Sequence, residues 1–329
     1  MLNVGLIGLG GEWEGRYRPA LAKLQNRLRV RCVYAPVITH AEQVAGELGC
    51  DVAPGIMALC ERDDVRAVLV LDTAWYSGAP AQFACQVGKP AYLAGRLVHR
   101  LSIASALVRR AAETGVTLMP DFGHRYTPAT SRLRELIATR LGPPLSIVVD
   151  ATPSSGELSD EAVESTPLSD AARDALAVAI DWCTNVVGTP PAAVRIAGSG
   201  AAPSRSSAVP ELHVEFRRTA AGGEAAVASI QLSGIETPAT PQNPADGAPI
   251  VFRAQVKCVH GSASLEGPRQ VTWQSGQERS TESLAADRPD VEVMLDHFTR
   301  RVVGGLIPVP TLDDLCRAFQ LVDQAFGPG

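Results

Sequence analysis

Between residues 8 and 15 the chain reads Gly-Leu-Gly-Gly-Glu-Trp-Glu-Gly, the spacing in this sequence best suited to chemistry. Glycines that close an apolar strand and open a helix leave backbone N–H groups and the positive end of a helix dipole facing outward. Together these make a cradle for a pyrophosphate. Gly8 permits the tight turn and Gly10 lets phosphates approach the backbone, with Leu9 and Gly11 completing the turn. The G-x-G-x-x-G spacing asks for a third glycine at residue 13, which is Trp13; Gly15 serves if the turn is longer. Glu12 and Glu14 would repel a phosphate unless they point to solvent. The same glycines also suit a strand-to-helix turn that binds nothing. Metal chemistry is not expected, because six His and seven Cys are dispersed and no two cysteines stand in C-x-x-C spacing. The cysteines read as small buried hydrophobes in a reducing cytoplasm.

The elements that must carry this turn alternate in type. Val4–Gly8 is an apolar strand, Arg29–Tyr34 a second, and Ala67–Leu71 (AVLVL) a third that is apolar throughout. Helical patterns separate them: Thr39–Leu48 with Thr39 as N-cap, Pro80–Val87, and Ser102–Thr114 closed by Gly115. Short strands follow at Ala91–Leu93 and Val116–Met119. Such alternation predicts a doubly wound parallel sheet, with the ligand crevice at the carboxyl ends of its strands.

After residue 122 the pattern changes. A helix over Pro128–Arg140, a strand from Leu145 and a helix over Ala171–Val187 precede a run of strands: Ala193–Ile196, Leu212–Arg217, Ala225–Ser233, Val251–Val259, Ala263–Leu265 and Gln270–Gln274. Val291–Val303 and Leu312–Phe326 close the chain as helices. The expected organisation is α/β. A Rossmann dinucleotide-binding-like domain spans 1–122, and an α+β domain with a large, mostly antiparallel open-faced sheet spans 123–329. Residues 151–170 read as an acidic loop and 236–249 as a Pro-rich one. An uncovered sheet face calls for a homo-oligomer through that face.

Composition narrows the function classes. Of 329 residues, 46% are hydrophobic and 20% charged, as in ordinary globular proteins, and the net charge of −5 lacks the basic footprint of a nucleic-acid binder. No run approaches the roughly 18 apolar residues of a membrane span, and a glycine-broken strand starting at residue 4 does not read as a secretory leader. A cytoplasmic protein with a small-molecule ligand is expected.

Several stretches carry a resemblance. NVGLIGLG, AVLVLDTAWYSGAPAQFACQVGKPAYLAGRL, DFGHRYTPATSRLRELI, DAARDALAVAIDWCTNVVGTP, VHGSASLEGPRQVTW and DHFTRRVVGGLIPVPTLDDLCRAFQLVDQAF agree in order and spacing with one family. The chain resembles the glucose–fructose oxidoreductase/inositol dehydrogenase/MocA family over nearly its whole length. The resemblance implies NAD or NADP as cofactor and a sugar- or polyol-type substrate. Hydride passes to the nicotinamide while a side chain removes the hydroxyl proton.

Residue by residue, the resemblance also exposes departures. Thr73 matches a position that contacts the cofactor ribose, and Trp75 and Tyr76 stand where they can wall the nicotinamide or pack an interface. The acid expected at the end of the second strand is Ala35. The family's Glu-Lys-Pro lysine falls on Gly95. Arg96, next to it, stays protonated and cannot be a base; it can orient an anionic or hydroxylated ligand or sit in an ordinary ion pair. In the helix motif Asp-x-x-x-His-x-x-Asp, Asp174 and Asp181 remain but the His is Val178. The two Asp bind ligand hydroxyls or cap backbone. His124 can replace the lost base or hydrogen-bond a helix start, and Tyr126 beside it can touch substrate. Arg96, His124 and Asp174 are thus the candidate catalytic groups, with Tyr126 and Asp181 on the substrate. Two functions are open: an oxidoreductase with relocated acid/base groups, or a catalytically silent binding or regulatory protein using the interdomain crevice or the open sheet.

Overall fold

The computed structural model describes residues 1–72, 76, 78–94, 101–153, 168, 170–197, 211–217, 225–232 and 250–327. The chain forms two compact units. The first holds Met1–Phe122 together with Val291–Cys316, and the rest of the described chain from Gly123 onward forms the second. A single cut after residue 122 was expected, so the return of the helix Asp290–Val302 to the first unit corrects the 123–329 boundary. Its physical cause is an apolar face made by Val291, Met294, Leu295 and Phe298, all buried. Phe298 meets the Tyr92 ring edge-on at 5.9 Å, and Asp296 accepts from Arg27 Nη1 at 2.6 Å.

In the first unit six parallel strands lie in the order β3-β2-β1-β4-β5-β6: β1 (Leu2–Ile7), β2 (Leu28–Tyr34), β3 (Asp51–Val52), β4 (Ala67–Val70), β5 (Ala91–Leu93) and β6 (Leu118–Pro120). Val4, Leu6, Ile7 and all of β4 are buried, as strands covered by helices on both faces must be. Gly115 closes the helix Leu101–Thr114 at φ +68°, as expected of a C-cap. The helix near Thr39 differs from expectation. It spans Ile38–Leu48, and its first turn is closed by backbone, with His40 N and Ala41 N donating to Val37 O, not by a Thr39 cap.

The second unit is built on eight strands in the order β14-β13-β12-β11-β7-β10-β9-β8. These are β7 (Pro144–Pro153), β8 (Pro191–Ile196), β9 (Glu211–Phe216), β10 (Val227–Leu232), β11 (Ile250–Cys258), β12 (Gly261–Glu266), β13 (Gln270–Ser275) and β14 (Glu278–Ser283). Every pairing is antiparallel except β7 with β10. Alternation is strict: Ile147, Val149, Ala254, Val256, Ala263, Leu265, Val271 and Trp273 face the core, while Ser146, Gln255, Lys257, Ser262, Thr272 and Gln274 face outward. The helix Asp170–Val187 covers the inner face with Leu176, Ile180, Trp182 and Cys183. No described helix is long and apolar enough to cross a membrane. All seven cysteines are unpaired, and burial pushes the Cys60 and Cys258 thiols up to about 11.

Candidate functional site

The glycine turn follows β1 directly. Gly8 takes φ +79°, a conformation natural to glycine, and donates its N–H to Tyr34 O at 2.8 Å. Gly10 O accepts from Trp13 N, and the chain then winds through a π-type segment, Trp13–Tyr17, into the helix Arg18–Lys23. Gly8, Leu9, Gly10 and Gly11 thus form one continuous turn, as the sequence suggests. What lies on it was missed. A Cβ on Gly8 would stand 2.7 Å from Asp72 Cβ, and one on Gly10 would stand 3.1 Å from Asp72 Cγ and 3.2 Å from Oδ2. A Cβ on Gly11 would meet no atom of the described residues beyond its chain neighbours within 4 Å. β1 and β4 are adjacent with Ile7 beside Val70, so the residues following each strand must meet. That rule of doubly wound sheets would have placed Asp72 on the turn.

Trp13, in place of the third glycine, is buried in the core. Beside it Arg16 forms a buried cluster: Nη1 donates to Asp121 Oδ2 at 2.6 Å, to Tyr17 Oη at 3.0 Å and to Glu12 Oε2 at 3.1 Å, while Nη2 reaches Asp121 Oδ1. Tyr17 Oη also donates to Asp121 at 2.6 Å. Burial pushes the Asp121 carboxyl up, but the Arg16 guanidinium outweighs it and holds the group below the usual carboxylate range. Burial raises the Tyr17 phenol well above its ordinary value. Glu12 is therefore turned onto Arg16, and Glu14 onto Arg18 at 2.6 Å.

At the end of β2, where a ribose-binding acid was expected, Ala35 is buried and the Tyr34 ring packs against Tyr76 at 6.0 Å. Burial, then Tyr34, then the nearby Asp72 charge raise the Tyr76 phenol. Thr73, Trp75, Gly95 and Arg96 lie outside the described residues.

In the second unit Asp181 is the centre. His124 and Arg125 sit on the short helix Gly123–Tyr126, and Asp181 on Asp170–Val187. His124 Nε2 lies 2.6 Å from Asp181 Oδ2; Arg125 Nε donates to the same oxygen at 2.8 Å and Arg125 Nη2 to Oδ1. Burial pushes the Asp181 carboxyl up, and hydrogen bonds from Arg125 and His124 bring it below its ordinary value. Asp174 and Val178 share this helix face at spacings of seven and three residues from Asp181, both half-buried. Tyr126, also half-buried, stands two residues from His124.

Sequence reasoning missed the support of this cluster. Thr130 Oγ1 donates to His124 O at 3.0 Å and accepts from Trp182 Nε1 at 2.9 Å and from Thr127 Oγ1 at 2.8 Å. Thr127, N-cap of the helix Pro128–Leu136, accepts from Thr130 N at 3.2 Å, so the carbonyl of His124 is tied to a capped helix start. A Thr-Pro-x-x pattern at 127–130 is the signal that could have shown it. Among the described residues no three His, Cys, Asp or Glu side chains group as metal ligands.

The glycine turn has the strand-turn-helix course on which a dinucleotide's pyrophosphate would sit, with the Asp72 side chain beside Gly10, Arg16 bonded to Asp121 and Glu12, and an aromatic pair at the end of the second strand.

No protein-family model and no curated protein matches this sequence. Solved structures do. UDP-N-acetylglucosamine 3-dehydrogenase GnnA from Acidithiobacillus ferrooxidans is 18% identical with a TM-score of 0.69, over 99% of this chain and 96% of that one. Dehydrogenase MviM from Clostridium difficile is 14% identical with a TM-score of 0.72, over 98% of both chains. Biliverdin reductase from Synechocystis, solved with biliverdin and NADP⁺, is 15% identical with a TM-score of 0.66, over 98% and 97%. At such identities the likeness establishes architecture and not activity. Over its full length the chain has the fold of the glucose–fructose oxidoreductase/inositol dehydrogenase/MocA-type dehydrogenases.

Proposed function

We propose that this chain descends from NAD(P)-dependent oxidoreductases of sugar- or polyol-type substrates, and that it now holds a small hydroxylated ligand without ordinary turnover. One observation carries the reading: between Asp174 and Asp181 the helix presents the aliphatic Val178, which cannot take a proton. Positioned acid/base groups contribute roughly 10²–10⁴-fold to such reactions. The lost lysine position at Gly95 removes a second group. Asp174, Tyr126 and the Asp181 cluster are the side chains assigned to ligand hydroxyls. NAD or NADP is the ancestral cofactor in this reading. Association of copies through the outward sheet face belongs to the same proposal, supported by Val148 and Val227 standing exposed among its polar residues.

A second reading has its own support. His124 lies 2.6 Å from a buried carboxylate, the arrangement that orients a catalytic base. Against it, Arg125 shares the same carboxylate and takes up much of the charge that would stabilise an imidazolium. Assays of NAD⁺ and NADP⁺ reduction across sugars, inositols and other polyols discriminate the two. No rate above background is expected. Turnover that disappears in His124→Ala would establish the relocated base instead.

A further inference from the structure

We propose that the first unit carries a separate ligand site, a cleft at the amino ends of its strands that takes a small apolar carboxylate. The cleft has a volume of about 500 Å³ and lies among the end of the helix Leu101–Thr114, the start of β6 and the segment Leu306–Asp313. Small-ligand sites commonly measure about 300–1,000 Å³. Because β6 runs parallel to β1, this end of the sheet is opposite to the one that carries the glycine turn. The cleft takes no part in the site assigned above to ligand hydroxyls, so either assignment can fail without the other.

Val108, Ala111, Val116, Ile307 and Val309 give the cleft an apolar lining. Two features of that lining select the other end of the ligand. Arg301, in the last turn of the helix Asp290–Val302, lines the cleft, and its guanidinium makes no hydrogen bond or ion pair among the described residues. In the same unit Arg16, Arg18, Arg27, Arg31 and Arg62 are all paired with carboxylates. Asp313, the other charged residue of the lining, is engaged within the protein. The second feature is the sheet edge. β6 is the last strand in the order, and it meets β5 through Thr117 O, which accepts from Ala91 N at 2.9 Å, and Asp121 N, which donates to Leu93 O at 2.8 Å. Alternation then turns the N–H of Leu118, a cleft residue, away from β5, and it has no hydrogen bond among the described residues. A guanidinium and a backbone N–H are both donors, so they suit a carboxylate and not an ammonium group.

One wall is preformed. Pro308 and Pro310 fix their own φ angles, and the segment ends in a reciprocal cap, Thr311 N donating to Asp314 Oδ2 at 3.1 Å and Asp314 N to Thr311 Oγ1 at 3.4 Å. Leu306, 94% exposed among the cleft residues, offers aliphatic surface that the ligand's chain would cover.

The test is calorimetric titration of the whole protein with octanoate, octan-1-ol and octylammonium, repeated on Arg301→Gln. The unaltered protein should bind octanoate at least about ten-fold more tightly than either of the other two. Arg301→Gln, a change at an exposed position, should weaken octanoate about ten-fold and shift octan-1-ol less than about two-fold. Octan-1-ol or octylammonium binding as tightly as octanoate to the unaltered protein overturns the assignment, and that comparison needs no variant. Octanoate binding that Arg301→Gln leaves unchanged places the acid elsewhere on the protein and overturns it too. Failure of octanoate to saturate the unaltered protein at about ten millimolar does the same.

Discussion

Two carboxylates, Asp72 in the first unit and Asp181 in the second, sit in opposite surroundings. Asp181 is buried between a guanidinium and an imidazole and is held ionised by them. Asp72 lies against the glycines of a backbone turn, its Cβ 2.7 Å from where a Gly8 Cβ would stand. The first joins the helix Gly123–Tyr126 to the helix Asp170–Val187 through a buried ionised group. The second packs a strand end against a turn whose glycines leave room for it. The difference teaches that a carboxylate can serve a scaffold in two ways, by joining helices through buried charge pairs or by filling the space beside glycines at a strand end.

The largest test of that contrast is Asp181→Ala. Removing one partner of a buried charged cluster takes the carboxylate away from Arg125 and His124, and should cost about 3–5 kcal/mol in urea unfolding. The same carboxylate sets an acid limit. Its folded pKa is depressed, so its stabilisation is complete above the unfolded value near pH ~4 and is lost as pH falls through the lower folded value. Asp121, depressed by Arg16, adds to the same slope. Unfolding curves of Asp181→Ala should therefore be flatter than those of the unaltered protein below pH ~4, and parallel curves would show that the cluster is energetically idle.

A glycine series sharpens the picture on the other side. Gly8→Ala meets both a positive φ and Asp72 Cβ at 2.7 Å and should cost about 2–3 kcal/mol. Gly10→Ala presses on the Asp72 carboxyl, which can swing aside, at about 1 kcal/mol. Gly11→Ala, with open space around it, should stay within about 0.5 kcal/mol. Equal costs at all three would mean that Asp72 does not lie on the turn.

Most of the architecture is legible in the sequence because burial on both faces writes itself as continuous apolar runs, as in Ala67–Leu71, and burial on one face as alternation, as in Val271–Gln274. Two strands leave no such mark. Asp51–Val52 is two residues long, and Glu278–Ser283 is a polar edge strand paired to β13 through backbone and a Thr272–Thr281 hydroxyl contact of 2.9 Å. The return of Asp290–Val302 to the first unit is invisible because amphipathicity reports that a helix packs but not against what. Within the site, Val178 and Ala35 are read directly from the sequence as departures from the resembled pattern. The placement of Asp72 beside the turn and the Thr130 support of His124 are tertiary facts, readable only once the strand order or the helix cap is known.

Titration of the unaltered protein with NADH, followed by the fluorescence of the nicotinamide, bears most directly on the claim that the dinucleotide scaffold persists while its cofactor handling has been lost. No saturation is expected up to millimolar NADH. A micromolar dissociation constant would contradict the account.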